Sequence, residues 1–349
     1  MKRIFKNIPK FGETSAKNNK KREESMQLLP GSFVVVISAV IIGVAFGFVL
    51  QRGRFCVNTA FRDIIFINDF TLFRAYLLSV VIAIIGANLL EDMHWLGGDA
   101  YGPFTLSREV FAPVANIVGG YIFGLGMVLA GGCGSGILYR VGEGLTASMV
   151  AVLGFGLAII TTTKGVLRPV YLLLRSFKVG IHAPDGSINY AFSLPDLFGG
   201  GLAAIWITIA VITVVAGIVI VKGQPFQKGP AKGYKWSVAG ALVGLMVVAA
   251  WWTSGVYGRD PRGLSFTGPL GEAFLAVINR SSGSPRQMFD FFGLNITWSA
   301  IYILVVPVGA LLSSKALKEF KLKVPNAAEL MTVFGGSLLM GFGAATAGG

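Results

Sequence analysis

Long apolar runs separated by short polar breaks dominate the chain. Residues 32–50 carry no charge and are almost wholly apolar. Residues 75–90 follow, interrupted only by Ser79 and Asn88. Further runs cover 112–132, 145–163, 199–221, 237–254, 296–314 and 330–347. A helix needs roughly 17–25 such residues to cross a bilayer. The runs are continuous and do not alternate, which argues against a transmembrane β-barrel. The pattern therefore predicts an all-α polytopic membrane protein. Composition agrees: of 349 residues, 54% are hydrophobic and only 13% charged, too little polar surface to cover a soluble core of this length.

The first 25 residues differ, with eight Lys/Arg and three Glu among Ser, Asn and Gly. They predict a basic, largely disordered tail over 1–30. The first apolar run is long for a signal peptide and is followed by the basic "QRGRF". It reads as a retained span with a cytoplasmic N-terminus, by the positive-inside rule. Basic clusters at 164–178, 222–235 and 315–323 would each favour the cytoplasm too. Yet only one clear span, 199–221, separates the first two. Either residues 166–174 help to make another crossing, or one cluster is not cytoplasmic. The net charge of +13 lies mainly in these loops and the tail. It reads first as orientation and contact with anionic lipid, and second as attraction of an anionic solute.

Two breaks carry the candidate chemistry. "QRGRFCVNTAFRD", 51–63, sets Arg52, Arg54, Arg62 and Asp63 around Cys56. "AGGCGSGILYRVGEG", 130–144, has six glycines in fifteen residues, with Cys133 among them. Glycine costs about 1 kcal/mol in a helix interior relative to alanine. A glycine-rich break beside an apolar run therefore predicts a helix that ends within the protein. Non-helical backbone at membrane depth survives only when buried in protein or lining a wet cavity, as in the broken helices of transporters.

A spacing is repeated. Gly-x-Gly-x-x-x-Ala-Gly-Gly occurs from Gly124 to Gly132, just before Cys133, and again from Gly341 to Gly349. A looser match pairs "IIGVAFGFVLQRGRF" with "LVGLMVVAAWWTSGVYGRDPRGLSF", where "LSFTG" at 264–268 replaces the Cys56 region. The bland alternative is small-residue helix packing. The repeat predicts two pseudo-symmetric halves with broken or re-entrant short helices meeting near the bilayer midplane. The divisions are a first half over 31–221, a basic linker over 222–236 and a second half over 237–349.

These motifs, together with "GGYIFGLGMVLAGGCGSGILYRVGEG" and "GGSLLMGFGAATAGG", closely resemble the YeeE/YedE family, whose characterised type takes up thiosulfate across the bacterial inner membrane. The resemblance runs from about Gly31 to the end of the chain. It implies a narrow path along which three cysteines pass the anion through S–H contacts. Two of them fall on Cys56 and Cys133. The third would follow the second Ala-Gly-Gly, so the resemblance implies a chain truncated before that cysteine and before a terminal helix. It also implies a small cytoplasmic sulfur-carrier partner of the TusA-like type, and no enzymatic activity or cofactor.

The chemistry is reasonable from the residues themselves. Thiosulfate is a dianion with a soft terminal sulfur. A neutral thiol donates to it without adding charge. Gly131, Gly132, Gly134 and Gly136 can leave backbone N–H groups free to meet an anion. Arg140 and Glu143 read equally as a helix-end pair or as groups on the solute path. Arg52, Arg54 and Arg62 read as interface anchors or as an anion entrance. Cys56 and Cys133 read alternatively as buried hydrophobes or as a disulfide. His94 and His182 have no partners at metal-ligand spacing, and Trp251 and Trp252 suggest an interfacial belt. A membrane thiol oxidoreductase is the rival class. Its expected mark is two cysteines close in sequence, whereas these lie 77 positions apart.

Overall fold

A computed structural model describes residues 31–99, 102–106, 108–182, 188–223, 233–278, 288–291 and 294–348. Among the described residues, eight helices are long and apolar enough to cross a membrane. These spans contain α1 (Gly31–Gly53), α3 (Thr71–Asp92), α4 (Pro113–Leu129), α6 (Thr146–Thr163), α8 (Leu202–Val221), α9 (Trp236–Val256), α11 (Trp298–Ala316) and α12 (Ala327–Ala347), the first running on to Ile67 and the third to Gly142. Each corresponds to one of the apolar runs. Among the described residues, four shorter α-helices lie between them, α2 (Val57–Ile67), α5 (Gly134–Gly142), α7 (Arg168–Arg175) and α10 (Thr267–Val277), with one 3₁₀ helix at Leu194–Phe198. Three two-stranded antiparallel hairpins occupy connections, the last of them pairing Met288–Phe291 with Leu294–Thr297.

The core lies where helices from distant parts of the chain meet. α1 packs along α11, α3 along α9, and α4 and α6 along α12. Small residues make these approaches possible. A Cβ on Gly47 would run into the Val306 carbonyl oxygen, and one on Gly309 into that of Val44. Gly126 and Gly343 bring α4 and α12 together in the same way. This is how helices pack in lipid, where close backbone approach replaces the hydrophobic drive of water. The packing reading of the repeated glycine spacing therefore holds for Gly126, Gly341 and Gly343. Gly124 and Gly131 meet no such neighbour.

The outer faces carry apolar side chains. On α8, Ile207, Val211, Val214, Val215, Ile218 and Val221 are all exposed. A helix with such a surface needs hydrocarbon beside it. Gly309→Ala is expected to cost about 1–3 kcal/mol by overpacking the α1–α11 crossing. Gly217→Ala on lipid-facing α8, where an added Cβ meets nothing, is expected to be neutral or mildly stabilising. Melting of both variants in one detergent checks the contrast.

The arrangement resolves the basic clusters. α7 has eight residues, too few to cross. Tyr234 N–H donates to Arg52 O, Arg54 pairs with Glu319, and Thr146 N–H donates to Lys323 O. The flanks of the 222–235 segment and the 315–323 segment thus share the end of the bundle where α1 finishes. Lys164, at the far end of α6, lies at the other. The basic tail itself, 1–30, falls outside the described residues.

Candidate functional site

Both cysteines are helix starts. Cys56 is the extended N-cap of α2, and Cys133 the extended N-cap of α5. No side chain caps either helix. The first N–H groups of an α-helix have no partner within it and carry partial positive charge. Two such ends meet, because Cys56 Sγ lies 3.3 Å from Cys133 Sγ. Both thiols are free and buried, at 3% and 5% exposure. Ser135 Oγ sits 3.1 Å from Cys133 Sγ and donates to the Phe55 carbonyl at 3.4 Å. That bond ties the two loops together.

Glycine makes room for the sulfurs. A Cβ on Gly136 would sit 2.7 Å from Cys56 Sγ and 3.8 Å from Cys133 Sγ. A Cβ on Gly134 would lie 2.9 Å from the Phe266 Cβ. Phe266 is the N-cap of α10 and stacks on Phe46 of α1, with ring centroids 6.0 Å apart. The start of a third short helix therefore abuts the start of α5. Close by, the fully buried Tyr302 donates its hydroxyl to Ser265 O.

The turn before Cys133 is held separately. Gly131 has φ +72°, a left-handed conformation that favours glycine. Its carbonyl accepts from Arg140 Nη1, and a Cβ on Gly132 would lie 3.4 Å from the same nitrogen. Arg140 thus clamps the turn from one helical span away. Glu143 does not pair with it. It accepts instead from Gln51 Nε2 at 3.1 Å. Gln51 is 1% exposed and also donates to Glu319 at 3.1 Å, while its own oxygen accepts from Ser313 at 2.6 Å. This network joins α1, α5 and α11 to the segment after α11. Cys56, Cys133 and Gly134 therefore form one group, Gly131, Gly132 and Arg140 a second beside it, and Glu143 a third at the other end of α5.

The remaining candidates are partnered elsewhere. Arg52 stacks on Phe48 and Tyr234, Arg54 pairs with Glu319, and Arg62 with Asp63. Trp252 lies half-open with His94 and Trp95 along a surface cavity of about 520 Å³. Beyond Phe266, Arg262 is held between Asp260 and Glu272, and Thr297 donates to Glu272. Burial pushes the Asp260 carboxyl up, against the pull of Arg262 and with a further push from Glu272. Among the described residues, no three His, Cys, Asp or Glu side chains gather as a metal site. Sequence reading did not single out Ser135, Gln51 or Phe266, although Ser135 lies inside "GGCGSG" and Phe266 inside "LSFTG".

Among the described residues, eight apolar crossing helices define a multi-pass helical membrane protein, and a buried thiol pair lies where two of its short helices begin. Residues 52–349 match the family described as Sulphur transport, and the chain belongs to it. It is 31% identical over 316 residues to the thiosulfate transporter TsuA of Spirochaeta thermophila, covering 90% of this chain and 88% of that protein. Against the thiosulfate transporter TsuA of Escherichia coli the identity is 29% over 334 residues, 91% and 85% of the two chains. The probable transporter YedE of E. coli matches at 30% over 112 residues, 30% of this chain and 24% of its own. The YeeE/YedE resemblance, the transport role in place of an enzymatic one and the bacterial inner-membrane location all follow from this membership.

Proposed function

We propose that the protein takes up thiosulfate, or a similar small sulfur-containing anion, through a narrow path lined by Cys56 and Cys133. The observation that carries the reading is the meeting of two thiols at the uncapped starts of α2 and α5. Neutral thiols and helix N-termini both favour a soft anion, and neither adds negative charge. Gly131, Gly132 and Gly134 shape the backbone that faces the anion. Arg140 fixes that backbone and adds positive potential, and Glu143 holds the far end of α5. Weak binding at successive groups lets the anion leave as well as enter. The named activities of the two TsuA relatives support the substrate class.

The reading includes two related halves, 31–221 and 237–349, joined by a basic linker at 222–236. Its support is positional. Cys56 and Phe266 occupy matching places in the looser repeat, and each is the N-cap of an 11-residue helix. In this reading the short helices end near the bilayer midplane. A small cytoplasmic sulfur carrier of the TusA-like type would receive the anion.

Expression in a bacterium lacking thiosulfate uptake tests the proposal. Growth on thiosulfate as sole sulfur source is the expected result. No growth, with insertion verified, counts against it. Growth on another sulfur or selenium oxyanion alone would correct the substrate.

A further inference from the structure

We propose that Cys56 and Cys133 are also a redox modification site, joined reversibly into a disulfide by a small neutral peroxide. The geometry carries this. The sulfurs are 3.3 Å apart with nothing bonded between them. A disulfide is about 2.05 Å long, so closure needs the sulfurs to approach by about 1.3 Å. Cys56 lies on the short link between α1 and α2, two residues after Arg54, whose φ of +46° marks a tight turn. Ser135 Oγ beside Cys133 can take part in moving the thiol proton.

The chemistry balances with hydrogen peroxide as the oxidant. One thiol, deprotonated, attacks a peroxide oxygen. The O–O bond breaks, hydroxide leaves, and it takes up a proton to become water. The resulting sulfenic acid is attacked by the second sulfur. An S–S bond forms, the S–O bond breaks, and a second water leaves. Two thiols have lost two hydrogens and two electrons, and the peroxide has become two waters. A dithiol reductant reverses the step by thiol–disulfide exchange. The consequence for transport rests on the proposed path: once joined, neither sulfur has a proton to donate, and the path is closed.

The experiment treats the purified full chain with hydrogen peroxide, then counts free thiols in denaturant and measures intact mass. Loss of both thiols together, with loss of two hydrogens and full recovery in dithiothreitol, is expected. Gain of oxygen on separate cysteines, or two thiols that persist, would overturn the proposal. Gly136→Ala should slow closure by pushing the sulfurs apart, whereas Gly124→Ala, where an added Cβ meets nothing, should match wild type. Equal rates in the two variants would show that the sulfurs do not meet as described and would also overturn it. Uptake by proteoliposomes of reduced and oxidised protein is measured in parallel. A reversible loss of about tenfold or more on oxidation supports the closed path. Uptake that persists after disulfide formation overturns closure. Absence of uptake by the reduced protein would count against the transport reading, while the thiol count and mass still decide the redox pair.

Discussion

Cys133→Ala is expected to reduce thiosulfate uptake by about 10- to 100-fold, and Cys56→Ala somewhat less. The estimate treats each thiol as one hydrogen bond to a charged group, worth about 1.5–3 kcal/mol, with each 1.36 kcal/mol a factor of ten in rate. Cys133 ranks first because it begins α5, abuts the start of α10 through Gly134 and touches both Cys56 and Ser135. Both variants should fold, since removing one small thiol beside glycines leaves a small cavity worth about 1–2 kcal/mol. Serine variants sharpen the test. A hydroxyl is a donor of similar size but a poorer match for soft sulfur. Initial rates of labelled thiosulfate uptake at matched membrane levels measure the effect. Wild-type rates in both serine variants would make the cysteines packing residues.

Gln51→Leu is expected to destabilise the protein by about 2–4 kcal/mol and to lower uptake with it. Leucine fills the space but removes the donor shared by Glu143 and Glu319, and the acceptor of Ser313. A buried polar group left without its partner costs about 1–3 kcal/mol, and three groups are affected. Glu319 keeps Arg54, so its share is smaller. Arg54→Ala should be much milder, because that arginine is largely exposed and exposed ion pairs contribute about 0–1 kcal/mol. Thermal melting in detergent and uptake by the same preparations separate the two. Equal melting of Gln51→Leu and wild type would show that the network is not a tether for α5.

The length of the apolar runs was sufficient for the crossing helices, because a span is a local property of about twenty residues. The breaks at Cys56 and Cys133 were legible for the same reason, as glycine and arginine interrupt an apolar run where they stand. What could not be read was distance. Two cysteines 77 positions apart counted against thiol chemistry between them, and the fold sets them 3.3 Å apart. Gln51 was hidden likewise, since an uncharged amide at the end of a span gives no hint of carboxylates from residues 143 and 319. The Arg140–Glu143 spacing suggested a pair, but each found a nearer partner through tertiary packing.

The pairing of early helices with late ones has a bearing on how the protein is made. α1 packs most extensively against α11, and the facing glycines Gly47 and Gly309 are 262 positions apart. At roughly 5–20 residues synthesised per second, α1 waits about 13–50 s in the membrane before its partner exists. Through that interval its small-residue groove faces lipid, or the machinery that inserts it. Assembly is therefore consolidated late in translation, and the two stretches, produced as separate polypeptides, would each emerge with open grooves and depend on finding one another.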